Sequence, residues 1–338
     1  QRGYDAIGIA DANTMAGVVR IHTEAKKLKL RPIIGCRIET VEGLSFLAYP
    51  RDRVAYGRLC RLISAGRRAT LDDEWQEKGV CEINLAMLAE HSEGVHLILI
   101  PPPDLEAQFT IAVPSTVVPF TSRGQGEDFE RIELSGSLDH LLPHLAVQFP
   151  TLRHIAASFL HLGDDIARIE RLDALAQMRG LSILATNDVH YATPDKRPLQ
   201  DVMTAIRYKT TVARAGPLLH GNAERYLKPP ETMVRLFERW PHAIAAARAV
   251  ADACTFSLDE LQYEYPQEAY SGGISPQRHL ENQVWKGAKE WRYPKGLPSN
   301  VRKTLERELA LIAELDLARY FLTIKDIVDY ARSRDILC

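Results

Sequence analysis

Asn187, Asp188 and His190 bring a carboxamide, a carboxylate and an imidazole within four residues. A carboxylate and an imidazole two positions apart are donors of the kind that hold a divalent cation or move a proton. The run just before them, Ser182 to Thr186, is short and apolar and has the length of one buried parallel strand. The carboxyl ends of such strands are where α/β folds place their chemistry. Asp164 to Arg179 reads as an amphipathic helix feeding that strand, with Ile166, Ile169, Leu172, Leu175 and Met178 on one face and Gly180 as its stop. Thr193 or Asp195 is placed to cap the next helix, whose first turn includes Pro198 or lies just before it. Taken alone, Asp188 and His190 read more readily as a turn with an Asx-type hydrogen bond and a packed imidazole.

The elements that must position these residues alternate. Ala6 to Ala10 reads as a strand, and Asn13 or Thr14 as the cap of a helix reaching Leu30, with Val18, Ile21, Ala25 and Leu28 on one face. Arg31 to Thr40 and Leu44 to Tyr49 are strands about the turn Glu42-Gly43. Asp52 to Arg68 is a helix with Leu59, Leu62 and Ile63 inward. A short helix over Asn84 to His91 and strands at Val95 to Ile100 and His154 to Leu160 follow, and the alternation predicts a mostly parallel sheet or barrel. Pro101 to Glu127 reads as an irregular loop or an edge hairpin. Beyond Arg207 a loop-like stretch to Pro230 leads to helices over 231–240 and 242–254. From Ser275 the pattern is helical, over 276–291, 298–315 and 322–334. Val301, Leu305, Leu309, Ile312 and Leu315 stripe one helix; Phe321, Ile324, Ile327, Val328 and Ala331 stripe the last. The expected division is 1–265 and 266–338.

The 338 residues are 46% hydrophobic and 25% charged, enough for a large core and for two domains, or one large domain with an appendix. A net charge of -2 gives no global attraction to nucleic acid, so such contact would need local patches. Cys36, Cys60, Cys81, Cys254 and Cys338 never form a Cys-x-x-Cys pair, which fits a reducing, cytoplasmic setting rather than a disulfide framework. No apolar run approaches a membrane span, and no signal peptide is visible. Both ends read as cut from something longer: a strand begins almost at Gln1, and Ile336-Leu337-Cys338 reads as a strand begun.

Several stretches carry a specific resemblance. They are Ala10 to Arg20, Tyr56 to Ser64, Ala185 to Tyr191, Leu199 to Arg207, Asn222 to Leu227, Phe256 to Pro266 and Glu308 to Cys338. In order, they resemble the amino-terminal part of bacterial error-prone DNA polymerases, C-family enzymes similar to the polymerase III alpha subunit. Asn222 to Leu227 and Phe256 to Pro266 point to the error-prone branch. The resemblance implies an α/β, PHP-type distorted β/α barrel followed by a mostly helical segment that begins the polymerase palm. It implies damage-induced mutagenesis and translesion synthesis for the intact protein, with Mg²⁺ on palm aspartates, template-primer DNA and deoxynucleotides as ligands, and sliding-clamp or mutagenesis accessory proteins as partners. The family's Asp-x-Asp segment is absent from this sequence, so no catalytic residue is assigned here.

For the PHP domain the resemblance implies a metal cluster, with Zn²⁺ or Mn²⁺ if it hydrolyses phosphoesters or proofreads as a 3′–5′ exonuclease. Only Asp188 and His190 match that ligand set. Ala12 stands where a His is expected and Arg37 where a Glu is expected, with Glu39 a weak substitute. Leu44 to Pro50 lacks its His, and Pro101-Pro102-Pro103 replaces another ligand. Two ligands do not close a multinuclear site, so a structural PHP domain is expected, and a metal-dependent phosphoesterase is the alternative. A third reading is a protein-interaction module.

Other clusters read as surface chemistry. His140 and His144 have the spacing of a helical zinc pair but enclose Pro143 and lack a third ligand. The basic run Arg51, Arg53, Arg58, Arg61, Arg67 and Arg68 is balanced by Asp72, Asp73 and Glu74. Lys286, Lys289, Arg292, Lys295, Arg302, Lys303 and Arg307 stand nearer the palm, with a role at template or nucleotide set against ordinary surface charge. Tyr263, Tyr265 and Trp291 suit base stacking or junction packing.

Overall fold

The computed structural model describes residues 3–68, 77–114, 131–261 and 273–337. Its strands are β1 (Ala6–Ala12), β2 (Arg31–Glu39), β3 (Ser45–Pro50), β4 (Val95–Ile100), β5 (Phe109–Pro114), β6 (Arg131–Gly136), β7 (Leu152–Ser158) and β8 (Ser182–Thr186). Its helices are α1 (Val18–Lys27), α2 (Arg53–Gly66), α3 (Leu85–His91), α4 (Leu138–Gln148), α5 (Asp165–Met178), α6 (Arg197–Arg207), α7 (Val212–Ala215), α8 (Pro230–Leu236), α9 (Pro241–Ala253), α10 (Pro276–Gly287), α11 (Ser299–Glu314) and α12 (Ala318–Ser333). The chain divides into two compact units, Gln1–Leu261 and Gln262–Cys338.

In the first unit six strands form a curled half-barrel in the order β1-β2-β3-β4-β7-β8. The pairs β1–β2, β4–β7 and β7–β8 are parallel, but β3 runs antiparallel to both neighbours. The cause is local. The Gly43 N–H donates to the Thr40 carbonyl at 3.0 Å, with Gly43 at φ +87. A turn that tight reverses the strand, whereas a parallel crossover needs a dozen residues or more. β5 and β6 make a separate antiparallel hairpin, with Phe109 opposite Gly136 and Pro114 opposite Arg131. This decides for a hairpin over an irregular loop at its two strands; residues 115–130 between them lie outside the described set.

The central strands are covered on both faces. On one, Cys36, Ile38, Phe46, Leu97, Leu99, Ile155 and Ile183 meet residues of α2, α4 and α5 in the main core. On the other, Ile33, Ile98, Ala156 and Leu184 close on Ala246 and Val250 of α9 and on Cys254 just after it. The alternation of these positions along each strand is the period of two that a sheet imposes. Tyr49 of β3 shares the α9 face and lies across two neighbouring strands. A Cβ at Gly35 would stand 2.4 Å from its ring, and one at Gly8 would be 3.1 Å from its hydroxyl oxygen. Burial pushes that phenol up to about 12.

Some local expectations need correction. α1 begins at Val18, and neither Asn13 nor Thr14 caps it: the Gly17 N–H donates instead to the Asp11 carboxylate at 3.0 Å. Asn13, in the left-handed region at φ 48, clamps β2, donating to the Glu39 carbonyl at 3.0 Å and accepting from the Glu39 N–H at 2.9 Å. Leu28, Ile166 and Met178 are exposed, because each sits at a helix end or on the flank of its stripe. A short 3-10 turn at Pro194–Lys196 precedes α6, so neither Thr193 nor Asp195 caps it.

The second unit is helical. Its core is Leu280, Leu309, Ala318 and Leu322, with Val284, Trp285 and Ile312 packed against it. α11 turns Leu309 inward as its stripe predicts. α12 does not: Ala318 and Leu322 face the core, while Phe321, Ile324 and Ile327 are exposed. No described helix is long and apolar enough to cross a membrane.

Candidate functional site

At the carboxyl end of β8 the chain runs beside the segment 224–228. The His190 N–H donates to the Arg225 carbonyl at 2.9 Å, and the Leu227 N–H to the Tyr191 carbonyl at 3.1 Å. Tyr191 and Tyr226 pair in parallel between these two bonds. Asn187, almost fully buried, fixes the register, its amide donating to the carbonyls of Glu224 at 2.9 Å and Tyr226 at 2.7 Å.

Beneath Asn187 lies a buried cation. The Lys228 side chain is 1% exposed. Its ammonium donates to Asn187 Oδ1 at 3.0 Å and to the Glu224 carbonyl, and pairs with Glu224 Oε2 at 3.1 Å. An ammonium has three N–H donors, so three oxygens satisfy it completely. Burial pulls Lys228 below its ordinary range, and the Glu224 carboxylate opposes that pull. The Tyr4 hydroxyl donates to the Lys228 carbonyl at 2.6 Å, tying the segment to the start of the chain.

Asp188 stands one step outward, in the left-handed region at φ 40. Its Oδ2 accepts from Arg225 Nη1, and its Oδ1 lies 3.5 Å from His190 Nε2. Burial raises this carboxyl, but the His190 hydrogen bond and the charges of Arg225, His190 and Arg37 outweigh it and hold it at about 2. The His190 ring sits 4.7 Å from that of His220. Burial, then the Arg225 charge, keep His220 below its ordinary value. Arg37 also pairs with Glu39 at 3.1 Å, so the residue at the expected glutamate position is a guanidinium facing carboxylates.

The two matching residues, Asp188 and His190, are thus brought together, and the other expected ligand positions do not join them. Asp11 holds the start of α1. Among Pro101-Pro102-Pro103, the carbonyls of Pro102 and Pro103 accept from Arg168. Asp165, a buried carboxylate at the turn after β7, accepts from the N–H groups of Leu160 and Leu162 at 2.7 Å each and Gly163 at 3.2 Å. Among the described residues no three His, Cys, Asp or Glu side chains converge on a point that would hold a metal. Both oxygens of Asp188 already have cationic or imidazole partners. The residues present do not fit a metal cluster.

The remaining clusters have partners of their own. His140 and His144 lie on α4 with rings 6.2 Å apart, Pro143 being accommodated inside the helix. In the first basic run Arg58 pairs with Glu93 at 2.6 Å and Arg67 donates to the Asn13 carbonyl at 3.4 Å; Asp72, Asp73 and Glu74 lie outside the described residues. In the second, Arg302 lies over the Trp285 ring at 5.6 Å and pairs with Glu306 at 3.8 Å, and Arg307 with Glu308 at 3.1 Å. Tyr263, Tyr265 and the Trp291 side chain are outside the described residues. Sequence reasoning missed Glu224, Arg225 and Lys228 as site residues. Their signal was the cluster of charges Glu-Arg-x-x-Lys in a stretch otherwise read as loop.

Comparison with known proteins adds the following. Residues 1–132 match the PHP domain model, and residues 278–338 match the model described as the bacterial DNA polymerase III alpha NTPase domain. An error-prone DNA polymerase of Bradyrhizobium diazoefficiens is 43% identical over 342 aligned residues, covering 99% of this chain and 27% of that protein. One of Mesorhizobium japonicum is 43% identical over 99% of this chain and 27% of its own length, and one of Brucella abortus is 40% identical over 98% and 28%. The chain therefore spans about a quarter of the length of the curated relatives it matches. A solved putative metal-dependent phosphoesterase from Bifidobacterium adolescentis is 13% identical, with a TM-score of 0.34, over 70% of this chain and 86% of that one.

Proposed function

Over 99% of its length this chain is homologous to error-prone DNA polymerases, and on that premise we propose that it is the PHP domain and the beginning of the palm of such an enzyme. The intact protein is a DNA-directed DNA polymerase that copies damaged template in the cytoplasm. Its ligands are template-primer DNA and deoxynucleotides, with Mg²⁺ held by aspartates outside these residues, where two cations activate the primer hydroxyl and steady the leaving group. Sliding-clamp and mutagenesis accessory proteins are its partners. The two domains divide at 265/266.

Within this chain the PHP strand end is a structural corner that holds no metal. The observation that carries this reading is the occupancy of Asp188 by Arg225 and His190, with Arg37 adding its charge. PHP and polymerase domains generally use divalent metals, but a cation approaching Asp188 here would have to displace a guanidinium and would meet Arg37. The neighbouring Asn187 and Glu224 are already engaged by the buried Lys228 ammonium. The side chains of this corner bind one another, hold β8 against 224–228, and move no proton to a substrate.

Metal analysis of the purified chain after incubation with Zn²⁺ or Mn²⁺ tests the corner, together with hydrolysis of a generic phosphodiester. The expected result is far less than one metal per chain and no hydrolysis. Near-stoichiometric metal lost on Asp188→Asn or His190→Ala would overturn the reading in favour of a phosphoesterase or exonuclease. Primer extension by the complete protein tests the polymerase assignment separately.

A further inference from the structure

α6 is the most amphipathic helix of the first unit, and it is turned the wrong way for a helix of a closed domain. Only Ala205 in it is buried. Leu199, Val202, Met203 and Ile206 follow the i, i+3, i+4, i+7 spacing of a single stripe, yet they are 62%, 45%, 56% and 71% exposed. An isolated helix of this length is marginal in water, and helices draw most of their stability from packing that apolar face. Just beyond, Arg207, Lys209 and Arg214 have no ion-pair partner among the described residues, whereas Lys196 and Arg197 at the other end pair with Asp195 and Asp201.

We propose that the α6 stripe is the seat of an amphipathic helix with acidic residues at one end, supplied by the same polypeptide from outside the aligned portion. This rests on the polymerase reading above. The aligned portion is 27% of a relative's length, so most of such a protein is available to cover it. Four apolar residues over two turns are the pattern read by a helix laid along a groove. The unpaired cations favour an acidic partner and oppose a second copy of this chain. Parallel self-pairing sets Arg207 against Arg207, like against like, and antiparallel pairing sets it against the Lys196–Arg197 end, whose carboxylates Asp195 and Asp201 are already engaged.

The test places the photo-cross-linking residue p-benzoylphenylalanine at position 203 of the complete protein. The expected product is an intramolecular cross-link, at monomer mass, to a peptide beyond position 338. A covalent dimer, a cross-link to another protein or only to residues 1–338, or no cross-link would overturn the proposal. Met203→Glu adds a second readout: it is expected to lower the Tm of the complete protein and leave that of the 338-residue chain unchanged, and equal shifts in both would count against it. If the complete protein fails to extend primers, the polymerase reading falls; if it extends them without the cross-link, only this inference falls.

Discussion

The strand-end corner of the first unit and the helices of the second satisfy their side chains in opposite ways. Around β8 every strong charge has a partner within the corner: Lys228 has three oxygens, Asp188 has Arg225 and His190, and Arg37 has Glu39. In the second unit Leu280, Leu309, Ala318 and Leu322 make a small core, while Phe321, Ile324 and Ile327 of α12 remain on solvent. A carboxylate that already faces a guanidinium and an imidazole offers a further cation little net attraction. An apolar stripe left open is a surface that can take a partner. The first region satisfies its charges internally, and the second leaves apolar side chains unsatisfied.

Lys228→Met offers the severest way to break this contrast. Removing one partner of a buried ion pair costs about 3–5 kcal/mol, so denaturant unfolding should show a loss of that order. A loss under about 1 kcal/mol would mean that the corner is not held by its cation. Leu322→Ala is expected to cost about 2–3 kcal/mol, as for other large-to-small core changes, in a melt of the second unit.

Acid titration comes next. The Asp188 carboxyl is lowered to about 2 in the folded chain, against about 4 when unfolded. Its contribution is therefore complete above about pH 4 and disappears as the pH falls through about 2. With the side chain 41% exposed, solvent screening limits that contribution to about 1 kcal/mol. The stability difference between the wild type and Asp188→Asn should close across this window, and a difference independent of pH would contradict the Arg225 pairing. The smallest effect sharpens the other half of the comparison: Ile327→Ser should change the stability of this chain by no more than about 0.5 kcal/mol. A cost matching Leu322→Ala would place Ile327 in a core after all.

Much of the first unit was legible because strand and helix periods differ so plainly. β2, β4 and β8 lie within the runs expected of them, β1 and β3 extend past theirs to Ala12 and Pro50, and Leu59, Leu62, Ile169 and Leu172 are buried as their spacing requires. The cap of α1 was illegible because Asp11 reaches it across a turn rather than from the preceding residue. The direction of β3 depended on the geometry of one short turn, which the strand–helix alternation outweighed. α12 misled because it has apolar residues on two faces, and the smaller pair, Ala318 and Leu322, meets the neighbouring helices. In the site, Asp188 and His190 were found from the strand they follow. Arg225 and Lys228 escaped because nothing in a loop's composition says that its charges will be folded inward.

The ring of Tyr49 laid over Gly35 and Gly8 has a consequence for how this sheet can change over time. An alanine at 35 would strike carbon atoms of the phenol at 2.4 Å, far inside contact, and the β3 backbone carbonyl of Ala48 at 3.0 Å closes the escape. No first step at Gly35 is open while the tyrosine remains, whereas at Gly8 the hydroxyl has only to give by a few tenths of an ångström; shedding the tyrosine first leaves a hollow across two strands. Gly35 and Tyr49 form a ratchet, and a lineage that leaves this pair must pass through a weakened ancestor or alter both together.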